Sequence, residues 1–143
     1  MTLSIGLATQ SPSNYVYATE GDVEVDATNF PDATFRQWVL DKITSGSTTL
    51  TAQMIANTTA INVSNKNIAS LKGIEYFTAL TKLVCSSNPL TALDVSKNTL
   101  LEHLYCGANK LSALDVSKNT ALTILSCLSN KLTELDVSQN PLL

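Results

Sequence analysis

From residue 80 onward the apolar positions recur every 21 residues. LTKLVCSSNPLTALDVSKNTL (80–100) is followed by LEHLYCGANKLSALDVSKNTA (101–121) and LTILSCLSNKLTELDVSQNPL (122–142). Cys85, Cys106 and Cys127 therefore fall 21 apart, as do Asn88, Asn109 and Asn130, and Leu83, Leu104 and Leu125. Fixed leucines with drifting spacers predict one supersecondary unit stacked on itself. Each unit is doubled, reading L-x-x-L-x-C-x-x-N-x and then L-x-x-L-D-V-S-x-N-x-x. In each half two apolar residues two apart, Leu83 with Cys85 and Leu93 with Val95, share one face of an extended segment. The pattern predicts a flattened coil in which Leu80, Leu83, Cys85, Leu90, Leu93 and Val95 point inward. The asparagines fall where the coil turns away from each extended stretch, and a carboxamide there can satisfy backbone groups that the bend leaves unpaired.

Upstream the periodicity changes. Phe30-Pro31-Asp32 opens a predicted helix, with Pro31 near its first turn and Asp32 complementing the helix dipole. Phe35, Trp38 and Val39 lie on one face at helical spacing and should cover the open apolar end of the first coil. Thr51 suits the N-cap of a second short helix through Gln53, Met54 and Ile55. Val23-Glu24-Val25 alternates like a short edge strand. Val16-Tyr17-Ala18 fits the small-residue rule for signal-peptide cleavage, although LSIGLA before it is short and no basic residue precedes it. Residues 1–18 are thus either the remnant of a signal peptide or an ordered arm.

The repeat resembles the 21-residue, cysteine-bearing class of bacterial leucine-rich repeats of the internalin type. The resemblance covers 80–142 closely. A divergent leading coil is legible upstream, where Ile61, Val63, Ile68, Leu71, Ile74, Phe77 and Leu80 match the apolar positions and Asn67 stands as a shifted turn asparagine. The fold implied is a leucine-rich-repeat solenoid, an α+β right-handed coil stack with a parallel β-sheet. The expected organisation is an arm over 1–29, a helical N-terminal cap over 30–58, and repeats over 59–143 comprising one divergent coil and three 21-residue units. The resemblance further implies a bacterial protein, secreted or at the cell surface, that binds a protein partner and is not an enzyme. A host or cell-surface protein is the expected partner, ahead of a glycan.

The segment between the two helices, DKITSGSTTLTAQM, is where similar surface proteins can carry an aspartate-rich calcium loop. It offers one carboxylate, Asp41, whereas calcium takes about six to eight oxygen ligands, so no metal is expected there. The cysteines are expected to form a row of reduced, buried thiols. Adjacent parallel rungs sit about 4.7–4.9 Å apart, which holds equivalent β-carbons farther apart than the roughly 3.8 Å a disulfide prefers. A straight row cannot surround a tetrahedral zinc ion, and His103 lies on the opposite strand face. Asp94, Asp115 and Asp136 repeat in the same LDVS context, where each can bond a nearby backbone amide; a cation along that row is the alternative. The single histidine has no nucleophile to partner it. No catalytic residue, metal or cofactor is expected.

Alternation leaves one face of the first strand outward: Lys82, Val84 and Ser86, then His103, Tyr105 and Gly107, then Ile124, Ser126 and Leu128. Ala60, Asn62 and Ser64 are the equivalents in the leading coil. In leucine-rich repeats this surface is concave and carries recognition, so Lys82, Val84, His103, Tyr105, Ile124, Ser126 and Leu128 are the candidate partner contacts, with Tyr105 the anchor. The competing explanation is that they vary because nothing constrains them. The face offers about a dozen side chains, fewer than the roughly 20–30 residues a standard interface uses. The last coil carries no polar cap, although repeat arrays normally need one, so Leu125, Cys127, Leu132, Leu135 and Val137 are expected at a bare end. Either the chain is a piece of a longer array, or another copy covers that end in a homo-oligomer.

Composition adds exclusions. The 143 residues, 44% apolar, are enough for one core, and the formal net charge is −3. The nine basic residues are scattered, with no basic run or basic–aromatic interleaving, so nucleic acid is not an expected partner. No apolar stretch approaches the roughly 18 residues of a membrane-spanning helix.

Overall fold

The computed structural model describes residues 21–143; residues 1–18, with the Val16-Tyr17-Ala18 motif, lie outside the described residues. The first elements are β1 (Val23–Glu24), α1 (Ala33–Lys42), β2 (Thr49–Leu50) and α2 (Ala52–Asn57). The repeats follow with β3 (Ala60–Asn62), β4 (Lys82–Val84), β5 (His103–Tyr105) and β6 (Ile124–Ser126). β1 pairs antiparallel with β2, while β3 to β6 form a four-stranded parallel sheet in chain order. That order is what a solenoid requires, because each coil returns its strand beside the previous one.

The predicted inward positions of the first three coils are the core. Ile61, Val63, Leu80, Leu83, Cys85, Leu90, Val95, Leu104, Cys106, Leu111 and Val116 are all buried. Backbone bonds join the rungs: the Cys85 N–H donates to Tyr105 O and the Cys106 N–H to Ser126 O, each at 2.8 Å. Just beyond each strand the chain turns through a left-handed residue, Ser87 (φ 58°), Ala108 (φ 53°) and Ser129 (φ 57°). A non-glycine residue there costs roughly 1–2 kcal/mol, and the asparagine that follows offsets it. Asn109 Nδ2 donates to Cys106 O at 3.0 Å in its own coil and to Cys85 O at 3.1 Å in the preceding one. Asn88 and Asn130 repeat this pattern.

The leading coil departs from the expected spacing. Ala60 pairs with Lys82, 22 residues on, whereas Lys82 pairs with His103 and His103 with Ile124, each 21 on. Asn67 is accordingly not a rung of the asparagine row: it is exposed, with φ 57°. Asn88 Oδ1 instead accepts from the N–H groups of Lys66 and Ile68 on either side of it, at 3.1 and 3.0 Å.

Asp32 is the N-cap of α1, and Oδ1 accepts from the Thr34 and Phe35 N–H groups at 2.9 Å. Pro31 therefore precedes the cap rather than lying in the first turn. The other carboxylate oxygen, Oδ2, accepts from the N–H groups of Ala69 at 2.8 Å and Ser70 at 3.3 Å. One side chain thus fastens both the helix start and the first coil. Phe30 packs at ring-centroid distances of 5.8, 5.7 and 6.5 Å from Phe35, Tyr76 and Phe77. It lies over Gly73, whose φ is 107° and where a β-carbon would come within 2.2 Å of the Phe30 ring. Phe35 and Val39 are buried and Trp38 is half-buried. Thr51 caps α2, its Oγ1 accepting from the Met54 N–H at 3.2 Å.

Candidate functional site

The parallel register sets the candidate contacts side by side. Lys82, His103 and Ile124 form one row across the strands, and Val84, Tyr105 and Ser126 form the next. Between them, Leu83, Leu104 and Leu125 point into the coil. Lys82 is exposed, Val84, His103, Tyr105 and Ser126 are half-buried, and Ile124 is 39% exposed. Leu128, two residues past β6, is 80% exposed. The Lys82 ammonium lies 5.8 Å from the Tyr105 ring centroid, close enough for cation–π attraction. That contact was not anticipated, although its spacing of one coil plus two residues encodes it. Gly107 sits against the last coil, where a β-carbon would stand 3.1 Å from Leu128 O.

The cysteine row is free thiols: Cys85 and Cys106 are buried, whereas Cys127 is half-buried. The buried row thus holds at Cys85 and Cys106, while Cys127 belongs to the coil whose interior is partly open. Burial pushes the Cys106 thiol up to about 12, with Cys127 beside it contributing. Cys85 is shifted further in the same direction, first by burial and then by Cys106. These thiols stay protonated at neutral pH and behave as small hydrophobes.

A second asparagine row runs through the other half of the coils. Asn98, Asn119 and Asn140 are buried. Asn119 Nδ2 donates to Val95 O at 3.0 Å and Asn98 O at 2.9 Å, and Asn140 repeats the arrangement on Val116 and Asn119. Their Oδ1 atoms have no hydrogen-bond partner. Asp94, Asp115 and Asp136 each accept from the N–H of the serine two residues on, at 2.8–2.9 Å. The serine hydroxyl and N–H together hold each carboxyl below the usual carboxylate range. Asp41, expected in the segment between the helices, falls instead inside α1, where it accepts from Gln37 Nε2 one turn earlier at 2.8 Å. Among the described residues no three His, Cys, Asp or Glu side chains gather as metal ligands. No helix among them is long and apolar enough to cross a membrane.

The last coil presents its interior. Leu125, Leu132 and Leu135 are half-buried and Val137 is 41% exposed. Their equivalents one coil earlier, Leu104, Leu111, Leu114 and Val116, are buried. A separate groove between α1 and the first turn is lined by Gln37, Trp38, Asp41, Asn65 and Lys66. Nothing in the repeat pattern pointed to it, because its walls come from two distant segments.

No known family profile matches the chain. Over 71 residues, 49% of its length, the chain is 47% identical to internalin J of Listeria monocytogenes serotype 4b, and the match spans 8% of that protein. Among solved structures, the functional domain of InlJ from Listeria monocytogenes, which includes a cysteine ladder, superposes with a TM-score of 0.77 at 44% identity. That likeness covers 85% of this chain and 27% of the other. An internalin (InlF) from the same species superposes with a TM-score of 0.71 at 26% identity, over 79% of this chain and 34% of the other. The chain thus spans about a third or less of the length of each. With its 21-residue period, its row of free cysteines and these likenesses, it is an internalin-like leucine-rich-repeat protein of the cysteine-ladder type.

Proposed function

We propose that the chain is a non-catalytic protein-interaction module of a bacterial surface or secreted protein, binding its partner through the concave face of the repeats. The observation that carries this is the register itself. A constant framework of Leu, Cys and Asn holds Lys82, His103 and Ile124, and Val84, Tyr105 and Ser126, in adjacent rows whose side chains differ from coil to coil. A rigid scaffold with variable outward positions is how a recognition surface is built. Tyr105 is the anchor, since aromatic side chains contribute most per residue at interfaces. Catalysis finds no support in the site: the Cys85 and Cys106 thiols are buried and protonated, and the one histidine faces away from the cysteine row. The test is selection of binders from a random-peptide display library on the purified chain, followed by rebinding to the double variant His103→Ala/Tyr105→Ala. Binding should be lost while the circular dichroism melt is unchanged. Binders indifferent to both substitutions would overturn the proposal.

A second reading, self-association through the last coil, is favoured by the exposure of Val137 and the half-exposure of Leu125, Leu132 and Leu135. Absolute mass by light scattering under reducing conditions, across a hundredfold dilution, tests it. A persistent dimer that Val137→Asp converts to monomer with an unchanged melt is expected on this reading, and a monomer throughout refutes it.

A further inference from the structure

The groove between α1 and the turn after β3 encloses about 600 Å³ and is walled by two elements. Thr34, Gln37, Trp38 and Asp41 come from α1, and Asn65 and Lys66 from the turn. The α1 residues stand at i, i+3, i+4 and i+7, so they share one helix face, beside the one that buries Phe35 and Val39. Both walls are fixed. Asp32 caps α1 with one carboxylate oxygen and holds the Ala69 and Ser70 N–H groups with the other. The Asn65 N–H donates to Ser86 O at 3.0 Å, and the Lys66 N–H to Asn88 Oδ1 at 3.1 Å. The groove is thus preformed, and its volume falls within the roughly 300–1,000 Å³ of small-molecule sites.

Its lining combines one aromatic ring with hydrogen-bonding groups of both senses. Trp38, the one tryptophan of the chain, is half-buried and stacks on buried Phe35, 6.5 Å between centroids and 20° between planes. The stack fixes the indole, which therefore has little rotamer freedom left to lose when a ligand arrives. On the helix wall Gln37 Nε2 donates to Asp41 Oδ1 at 2.8 Å. That bond orients both side chains and leaves Gln37 Oε1 and Asp41 Oδ2 as acceptors. The opposite wall brings donors, the Asn65 carboxamide and the Lys66 ammonium. All four side chains are exposed. The one carboxylate is set against Lys42 and Lys66, so the lining does not select a strongly charged ligand.

A pyranose ring matches this arrangement. One of its faces is a patch of C–H groups, which suits the negative face of an indole. Its rim carries hydroxyls that donate and accept at once, which answers acceptors on one wall and donors on the other. An apolar side chain placed on Trp38 would leave both walls unanswered. We infer that this groove binds a neutral pyranose sugar, with its C–H face on Trp38 and its hydroxyls between the Gln37–Asp41 pair and Asn65 with Lys66. The groove shares no residue with the outward face of the sheet, so it stands or falls independently of partner binding there.

Because Trp38 is the one tryptophan, its emission reports on the groove directly. The test is a titration of the full chain with the methyl glycosides of glucose, galactose, mannose and N-acetylglucosamine, with glycerol as a polyol that lacks a ring face. At least one glycoside should shift Trp38 emission saturably and protect it from acrylamide quenching, while glycerol does neither. Asp41→Ala should weaken that glycoside about tenfold, as loss of a hydrogen bond to a charged group implies. Asn65→Gly removes the carboxamide while tolerating the left-handed backbone at φ 53°, and should weaken it about threefold. Both residues are exposed, so a circular dichroism melt should show both variants folded. Emission indifferent to all four glycosides at high millimolar concentration would overturn the inference. So would an equal response to glycerol, or an affinity that neither substitution changes, because the sugar would then lie outside the groove.

Discussion

The third coil and the last coil carry nearly the same framework and live in different surroundings. Leu104, Cys106, Leu111 and Val116 are sealed between neighbours, whereas Leu125, Cys127 and Leu132 are half-exposed and Val137 is 41% exposed. Both coils retain the asparagine turn: Asn109 and Asn130 each donate to the carbonyl of their own cysteine at 2.9–3.0 Å and to that of the preceding coil. Local conformation thus repeats with the sequence, and burial does not. A coil's own residues shape its turns and strand, while the coil stacked on it supplies half of its hydrophobic environment.

The largest way to sharpen that contrast is to delete the same side chain in both places. Leu104→Ala should destabilise by about 2–5 kcal/mol, and Leu125→Ala by roughly 1–2 kcal/mol, because less apolar area is lost from a half-buried site. Chemical denaturation of the two variants measures the difference, and equal losses would mean that the last coil is covered in solution.

Next in size is the buried second asparagine row. Asn119→Ala leaves Val95 O and Asn98 O without their side-chain donor, at about 1–3 kcal/mol. The same denaturation experiment reads it. A loss below about 0.5 kcal/mol would show that the backbone N–H groups of Asn98 and Leu101, which already donate to these carbonyls, suffice without the side chain.

The cysteines give a chemical contrast. A water-soluble maleimide at pH 7.5 should label Cys127 and spare Cys85 and Cys106 until denaturant is added, as peptide mass mapping would show. Their raised pKa values also carry a sign. The folded chain holds these thiols protonated, so their contribution is complete below the unfolded thiol's ordinary value of about 8.5. It is lost as pH rises toward the folded value of about 12 for Cys106. Cys106→Ala should flatten that alkaline decline, and an unchanged decline would show that other groups cause it.

The smallest effect lies at the other end of the pH scale. Asp94, Asp115 and Asp136 have lowered folded pKa values, chiefly from bonds to the following serine. Their contribution is present above the unfolded value of about 3.9 and is lost as pH falls through the folded values. Replacing all three by Asn should make the acid limb of the thermal melt shallower below about pH 4. An unchanged acid limb would show that the serine contacts are also made in the unfolded chain.

Much of the architecture was legible in the residues because a 21-residue period leaves few ways to stack. The leucine, cysteine and asparagine positions, the Asp32 and Thr51 helix starts, and the pairing tendency of Val23-Glu24 all follow from local spacing, side-chain size and hydrogen-bonding capacity. The outward rows were legible for the same reason, since alternation along a strand is a local property. Other features needed the fold. The 22-residue step into β4 displaced Asn67 from the row, and only the pairing of Ala60 with Lys82 reveals it. The second oxygen of Asp32 finds Ala69 and Ser70 across 37 residues of chain. Phe30 meets Gly73, Lys82 rests on Tyr105, and Cys127 is left half-exposed beside two buried equivalents. The sequence by itself determined which residues turn, which extend and which point inward, because those depend on neighbours a few positions away. Tertiary structure alone decided what each side chain touches, because that depends on the next coil, whose height and register are set by packing.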